Sequence, residues 1–290
     1  MENNSFYKIK KVLWMILLAN LVVAALKIFI GYSIKSTSLS ADGLHSLTDG
    51  SSNIVGLIGI HFASKPVDKG HPYGHSKFET LAGMFIALML FIMGLKIILN
   101  AISVFMNPVV PIVSAESLIV LLFTLCINVF VSIYEYKQGK KLNSTILVSD
   151  SLHTRSDVLV SIGVLFTLVC IKLGMPPMID AFASLVVSFF VLHAAYEIFS
   201  ETSSVLVDQA ALDVMEITEI IMSFPQVYNV HKVRSRGSNH AIYIDLHVLV
   251  EPHMSIESSH TLMHQIEEKL CRDFQKNIQT HIHIEPYYDC

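Results

Sequence analysis

Long runs of apolar residues alternate with short polar stretches along the first two-thirds of the chain. A helix needs about 20 mostly apolar residues to cross the hydrocarbon core of a bilayer. Six runs approach or exceed this length, and they cover residues 12–33, 38–62, 79–105, 112–136, 145–172 and 178–199. The pattern predicts an α-helical membrane protein whose residues 1–203 form a six-transmembrane-helix bundle.

The remaining residues, 204–290, have a different pattern and hold most of the histidines. Strict alternation of apolar and polar positions is typical of half-buried strands, and a period near 3.6 is typical of amphipathic helices. These patterns occur in the order helix, strand, strand, helix, strand, over residues 211–223, 226–234, 242–250, 257–274 and 280–286. The order indicates a small α+β domain of ferredoxin-like type.

The composition supports the membrane class and excludes others. Hydrophobic residues make up 52% of the chain, charged residues only 15%, and the mean hydropathy is +0.55. An ordinary soluble globular protein is less apolar. The net charge of −4 gives no reason to expect a nucleic-acid partner. The four cysteines form no C-x-x-C pair, which favours a reduced cytoplasmic face.

Basic residues in the short loops predict the orientation, because loops rich in lysine stay in the cytoplasm. One set of loops contains Lys8, Lys10, Lys11, Lys65, Lys69, Lys77, Lys137, Lys140 and Lys141. The opposite loops contain little more than Lys35 and Lys172. Both termini and the C-terminal domain are therefore expected in the cytoplasm, and the protein is expected in the inner membrane of a bacterial cell.

Two of the predicted spans carry nearly the same polar pattern. The pattern D-x-x-H-x-x-x-D occurs over residues 42–49 and again over residues 150–157. Spacings of three and four residues place these polar groups on one face of each helix. At about 1.5 Å per residue, each His–Asp pair reaches the middle of a hydrocarbon core about 30 Å thick. The two pairs are therefore predicted to converge.

The converging side chains form a candidate transport site for a metal ion: His45, Asp49, His153 and Asp157. Two imidazoles and two carboxylates suit Zn²⁺ and its neighbours better than Ca²⁺ or Mg²⁺, which prefer oxygen ligands alone. Ionisable groups at this depth each cost at least about 2.5–3.5 kcal/mol, so a functional reason is expected. The alternative is two polar helix faces that hydrogen-bond inside the bundle.

The first aspartate of each pattern has two interpretations. Asp42 is predicted near the outer surface and Asp150 near the cytoplasm, where each could relay a cation or a proton. A hydrogen bond at a helix end or within the bundle would explain these aspartates equally well.

The chain resembles the cation diffusion facilitator family in its six helices, its central quartet, its inner loop 65–75 and its cytoplasmic tail. The resemblance implies a homodimer that exchanges cytoplasmic divalent metal for protons by alternating access. The His–Asp pair on both helices favours Zn²⁺ as the substrate. Fe²⁺, Mn²⁺, Co²⁺ and Cd²⁺ remain alternatives.

The inner loop contains a second candidate metal site formed by Asp68, His71 and His75. Spacings of three and four residues in a short loop suit a set of metal ligands, and the family resemblance supports this interpretation. The loop is also rich in glycine and proline, so a solvated turn is the alternative.

The resemblance further implies metal ligands in the tail. The matching positions are His231, His247, His260, His283 and Glu285. Many family members have aspartate where this chain has Glu285. Zn²⁺ bound there would be a regulatory ligand, whereas inert surface histidines are the alternative.

A salt bridge between the two domains is a further hypothesis. Lys77 is predicted to open the third helix on the inner side, and Asp208 follows the sixth helix. Two solvated charges are the alternative, and an exposed pair contributes only about 0–1 kcal/mol.

Other functional classes are less consistent with the sequence. No G-x-x-x-x-G-K-[ST] run is present, so an ion gradient is the expected driving force. An intramembrane metalloenzyme would need an open position at its metal and is disfavoured by the absence of H-E-x-x-H, so neither enzymatic activity nor a catalytic cofactor is expected. A membrane metal sensor is the remaining alternative. The expected partners are metal ions, protons, the lipid bilayer and a second copy of the chain.

Overall fold

The computed structural model describes residues 2–33, 50–106, 115–176, 178–238 and 241–288. The chain divides into two compact units, Met1–Thr202 and Ser203–Cys290. Among the described residues, six helices lie before the C-terminal unit or run into its start. They are α1 Glu2–Ser33, α2 Ser51–Ala63, α3 Lys77–Met106, α4 Ala115–Leu142, α5 Thr145–Lys172 and α6 Met178–Leu206.

Four stretches of the described chain are long and apolar enough to cross a membrane: Phe6–Leu26, Lys77–Met106, Leu118–Leu142 and Ala181–Leu206. α5 carries a run of polar residues that lowers its hydropathy, and α2 is a shorter apolar helix. Most of the first half of the predicted span 38–62 lies outside the described residues. A helical membrane domain is therefore established, whereas the count of six spans stays a prediction.

Several helices extend beyond the apolar runs that predicted them. α1 begins at Glu2 rather than residue 12, and α6 continues to Leu206 rather than residue 199. Hydropathy marks the part of a helix that suits lipid, whereas the backbone hydrogen bonds of the helix continue through polar residues. The predicted spans therefore cover only part of α1 and α6.

The core of the first unit lies where α1 to α5 meet, and it includes the fully buried Ile9, Leu13, Ile86 and Ile146. Gly59 of α2 lies against Ala82 of α3 so closely that a side chain at residue 59 would overlap it. A second cluster packs α3 against α6.

A buried carboxylate fixes the start of α5. Glu79 of α3 accepts a hydrogen bond of 2.5 Å from the Ser144 hydroxyl and another of 3.3 Å from the Ile146 amide. The first amides of a helix lack partners within the helix, and a negative charge there is favourable. Glu79 therefore connects α3 to the helix that carries His153 and Asp157.

The C-terminal unit contains a three-stranded mixed sheet and two helices. Its elements are α7 Val214–Met222, β1 Asn229–Gly237, β2 Ile242–Val250, α8 Ile256–Phe274 and β3 Ile278–Pro286. β2 is the central strand, antiparallel to β1 and parallel to β3. The predicted order of elements is confirmed. A ferredoxin-like assignment of this small sheet stays a prediction.

The two helices contribute to a core on one face of the sheet. Residues of α7, α8 and every second residue of β2 form it, including Ile217, Ile266 and Ile244. The alternation predicted for 242–250 is confirmed, and His247 lies on the face opposite the core. β1 runs three residues later than predicted, because Val227 still closes a turn with Phe224 and polar residues continue the strand.

The core contribution of β2 can be tested with two isoleucines. Ile244 is fully buried and Ile256 is 88% exposed. Ile244→Ala is expected to lower the free energy of unfolding of the C-terminal unit by about 2–5 kcal/mol, because it leaves a cavity. Ile256→Ala should change it little. Hydrogen exchange of the β2 amides in the full-length protein measures the difference, and equal protection in both variants would contradict this core.

Candidate metal sites

His153 and Asp157 lie one turn apart on α5, with 3.9 Å between His153 Nε2 and Asp157 Oδ2. His153 is buried, and neither of its ring nitrogens has a hydrogen-bond partner among the residues that the structure describes. A buried imidazole without a hydrogen bond is costly. The α5 half of the predicted quartet therefore presents nitrogen and oxygen donors on one face.

A polar cavity of about 30 Å³ lies beside these two residues. Its lining also includes Asn20 of α1, Ser52 of α2 and Asn128 of α4. A volume near 10–15 Å³ is enough for the centre of one water molecule, so this cavity can hold one ion or very few waters. Four helices thus contribute polar groups to a small cavity around His153.

The other half of the quartet, His45 and Asp49, lies outside the described residues, and so does Asp42. Their predicted convergence with His153 and Asp157 stays a prediction.

Asp150 belongs to a series of hydrogen bonds that connects α5, α2 and α1. Its side chain is completely buried and accepts a hydrogen bond from the Asn53 amide, while Asn20 donates to Asn53 at 2.8 Å. Asp150 Oδ1 has no hydrogen-bond partner among the described atoms. The bundle hydrogen bond that was one interpretation of Asp150 is present, and a relay role stays a prediction.

The inner loop brings Asp68, His71 and His75 together. Asp68 Oδ1 lies 3.2 Å from His71 Nδ1, and Asp68 Oδ2 lies 3.3 Å from His75 Nε2. One donor atom from each residue lies within 4.8 Å of the others. His75 is buried, whereas His71 and Asp68 are exposed. Two imidazoles and a carboxylate at this separation could hold a transition-metal ion at the surface.

Local turn chemistry builds this loop cluster. Asp68 Oδ1 accepts hydrogen bonds from the amides of Gly70 and His71 at 2.8 and 2.7 Å, as aspartates in tight turns do. Gly74 has a φ of +86°, a conformation that favours glycine. The His71 amide, with the His71 ring and the Gly70 amide, lowers the pKa of Asp68 against a smaller opposing effect of burial. The carboxylate is thus held ionised, as a metal ligand must be.

A second cluster lies on the open face of the C-terminal sheet. His231, His247 and His283 are direct neighbours across β1, β2 and β3. Glu285 Oε1 lies 2.6 Å from His247 Nδ1, and Glu285 Oε2 lies 3.3 Å from His231 Nε2. Donor atoms of His231, His247 and Glu285 lie within 4.8 Å of one another. The Glu285 carboxylate thus contacts both imidazoles, and the three groups together could bind one metal ion.

A bulge in β1 accompanies this arrangement. The register between β1 and β2 shifts between His231 and Arg234, and Lys232 there has a φ of 52°. An extra residue bends the strand and redirects its side chains.

Glu285 is held ionised by its neighbours. The hydrogen bond with His247, followed by the charges of His247, His231 and Lys232, lowers the pKa of Glu285 below its usual value of 4.5, against an opposing effect of burial. The two oxygens of this ionised carboxylate each lie near one imidazole, Oε1 near His247 and Oε2 near His231.

His283 and His260 were also predicted as metal ligands in the tail, and their positions differ. His283 Nε2 lies 3.8 Å from Glu285 Oε1 at the edge of the cluster. His260 is on α8, and its Nε2 lies 3.2 Å from His264 Nε2. α8 packs on the core face of the sheet, away from His247. Within one protomer, the structure therefore brings His231, His247, His283 and Glu285 together without His260.

The predicted pair of Lys77 and Asp208 involves residues of different units. Within the C-terminal unit, Asp208 Oδ2 lies 3.5 Å from Arg236 Nη1. A bridge between Lys77 and Asp208 stays a prediction.

Sequence reasoning missed four buried or cavity-lining polar residues in the helices: Asn20, Asn53, Asn128 and Glu135. Each lies in or beside an apolar run, and polar residues there often face a bundle interior. That signal could have identified them, but it could not have assigned their partners.

Comparison with known families accounts for nearly the whole chain. Residues 13–207 match the cation efflux transmembrane domain, and residues 210–287 match the cytoplasmic domain of cation efflux proteins.

Three relatives match along most of their own length. An uncharacterized transporter of Methanocaldococcus jannaschii is 31% identical, over 96% of this chain and 98% of the relative. The manganese efflux system protein MneP of Bacillus subtilis is 28% identical, over 97% of each chain. The cation-efflux pump FieF of Citrobacter koseri is 27% identical, over 86% of this chain and 83% of the pump.

The tail cluster yields a test of metal binding. Glu285→Gln is expected to weaken Zn²⁺ binding by the C-terminal unit at least about 10-fold, because an amide replaces an ionised ligand. Glu251→Gln, at an exposed position after β2, is the matched control. Calorimetric titration of the full-length protein measures both, and equal affinities would contradict a ligand role for Glu285.

The lowered pKa of Glu285 also predicts a pH dependence. A carboxyl group with a lowered pKa in the folded state stabilises that state above its usual pKa, and the contribution disappears as the pH falls through the folded value. Metal-free protein should therefore lose stability in the C-terminal unit as the pH drops below 4.5. Thermal unfolding between about pH 7 and about pH 3 should show a weaker decline for Glu285→Gln. Parallel curves would exclude this linkage.

Proposed function

Because the chain belongs to the cation diffusion facilitator family of cation efflux transporters, we propose that it exports Zn²⁺ from the cytoplasm in exchange for protons. The family consists of transporters, and the chain is not an enzyme. The proposal includes six membrane spans, a ferredoxin-like cytoplasmic domain, cytoplasmic termini, the inner membrane and a homodimer.

One observation carries the proposal. The buried ring of His153, with neither nitrogen hydrogen-bonded among the described residues, lies beside Asp157 and a cavity for about one ion. An imidazole in such a place gains most from a ligand that replaces the water it has lost. His45 and Asp49 supply the other two ligands of a tetrahedral site in this proposal.

Competition between metal and protons provides the coupling. Only neutral imidazole binds a metal ion, so metal that arrives from the cytoplasm displaces protons from His45 and His153. Opening toward the outside releases the metal, and protons from outside reset the site. Asp42 and Asp150 relay cations or protons on the two sides of it.

The two surface clusters have supporting roles. Asp68, His71 and His75 bind metal at the inner loop, where the exposure of Asp68 and His71 allows exchange with the cytoplasm. The tail cluster binds Zn²⁺ as a regulatory ligand, with His260 contributed by the second protomer. A salt bridge between Lys77 and Asp208 connects the membrane and tail domains.

Manganese is the second candidate substrate. Relatives at 28% and 27% identity are named manganese efflux system proteins. Mn²⁺ favours oxygen ligands, whereas imidazole suits Zn²⁺. The two histidines of the quartet therefore favour zinc.

A transport assay tests the exchanger and its central site. Zn²⁺ uptake by inside-out vesicles that contain the purified protein should move protons outward from the lumen. Asp157→Ala and Asp49→Ala should each abolish both movements, because they remove a ligand of the transported ion. Glu251→Ala, at an exposed position outside the clusters, is the control.

The same vesicles identify the metal when Zn²⁺, Mn²⁺, Fe²⁺, Co²⁺ and Cd²⁺ are compared. Faster Mn²⁺ than Zn²⁺ flux would retain the exchanger and reject zinc. Metal flux that is unchanged in Asp157→Ala would reject the central site, and the absence of all flux would favour the membrane sensor.

A further inference from the structure

Glu135 of α4 is a buried acid that the proposed metal site does not use. Its side chain is 0% exposed, and neither carboxyl oxygen has a hydrogen-bond partner among the described residues. α5 packs against this part of α4, where the Ser132 hydroxyl donates to the Ser151 carbonyl at 3.1 Å. On α5, the Asp150 carboxyl and the Thr154 hydroxyl interact with Glu135, and the Thr154 hydroxyl also donates to the Asp150 carbonyl at 3.2 Å. A buried carboxylate with no cation or hydrogen-bond donor is strongly unfavourable, so Glu135 requires a partner.

An ionised Asp150 carboxylate cannot be the partner that Glu135 requires. It is also 0% exposed, and Asn53 donates to only one of its oxygens, which leaves Oδ1 without a partner among the described atoms. Two adjacent carboxylates in a low-dielectric interior repel each other, and such pairs retain a proton between them. The unpartnered oxygens on Glu135 and Asp150 are the atoms that such a proton would bind.

Among the described residues, the cations beside this part of α4 are exposed and not buried with the pair. Arg155 and Lys140 lie over the Tyr136 ring at 4.7 and 5.6 Å, and both are exposed. Asn20 of α1 is linked to Asp150 through Asn53. The described lysines of α1 that precede its apolar run, Lys8, Lys10 and Lys11, are exposed. His153 and Asp157 line the cavity, which Thr154 also lines. Thr154 therefore borders the cavity and interacts with the carboxyl pair.

We propose that Glu135 and Asp150 share one proton and release it to the cytoplasm when a divalent ion occupies the cavity beside His153. The O–H bond of the shared acid breaks, the proton passes to water, and the remaining carboxylate faces the charge of the bound ion. The pair then contributes one proton to the exchange besides those of the imidazoles. This inference rests on the proposed exchange of metal for protons.

A proton suits this position better than a second metal ion. Both carboxyl groups are fully buried, and a divalent ion keeps or replaces several ligands when it binds. A proton needs no cavity and only the two oxygens.

The test counts protons per metal ion. Calorimetric titration of the purified protein with Zn²⁺, in buffers of different ionisation enthalpy, measures the number of protons released per bound ion. Vesicles that contain the protein give the number of protons moved per metal ion during transport. Glu135→Gln imitates the protonated acid permanently, so it is expected to release one proton fewer per ion and to bind Zn²⁺ more weakly. Asp150→Asn should lose the same proton, and the double variant should lose no more than either single variant.

The matched control is Ser132→Ala. Ser132 is buried on the same face of α4 and donates to the Ser151 carbonyl of α5 at 3.1 Å. The control removes a contact between the same helices and should leave the proton count unchanged.

An unchanged number of released protons in folded Glu135→Gln would overturn the inference. An equal loss of protons in Ser132→Ala would also overturn it, and so would the loss of one bound metal ion in Glu135→Gln. If Glu135→Gln does not fold, the test uses Asp150→Asn and Glu135→Asp instead. Asp150→Asn should lose the proton, and Glu135→Asp should retain it. Absence of metal-linked proton release in the unmodified protein would instead reject the proposed exchange itself.

Discussion

The burial of ionisable groups inside the helical unit is the constraint on which its arrangement depends. His153, Asp150, Glu135 and Glu79 are all nearly or completely buried, and each must gain a partner that compensates for lost water. Glu79 finds one at the start of α5, and Asp150 finds Asn53. His153 and Glu135 have no hydrogen-bond partner among the described residues, and the proposals assign a metal ion to His153 and a proton to Glu135.

The same donor chemistry recurs in three places with different exposure. The membrane site, the inner loop and the tail each combine imidazole nitrogen with carboxylate oxygen. Burial decides what such a set can do. A buried set binds an ion only when a conformational change gives it access, which suits alternating access, whereas an exposed set equilibrates with the cytoplasm and suits sensing. In the proposed function, the same ligand types therefore serve a transported ion and the ions that report its concentration.

Within the first unit, α5 connects the proposed metal ligands with the Glu135–Asp150 pair. It carries Asp150, His153 and Asp157, its start is held by α3 through Glu79, and its polar face meets α1, α2 and α4 around the cavity. A shift of α5 would change the surroundings of the metal ligands and of the Glu135–Asp150 pair together. Metal binding and proton release could therefore respond to one movement.

The sequence alone predicted the order of the described helices and strands and the family, because hydrophobic periodicity and motif spacing are local properties of the chain. It also placed His153 and Asp157 on one face of α5, since residues four apart on a helix are neighbours. Only the tertiary structure decided which side chains meet across elements. The Glu135–Asp150 pair, the cap by Glu79 and the bulge beside His231 depend on packing between distant segments. Helical period specifies a face, but the neighbour on that face is chosen by how the helices pack.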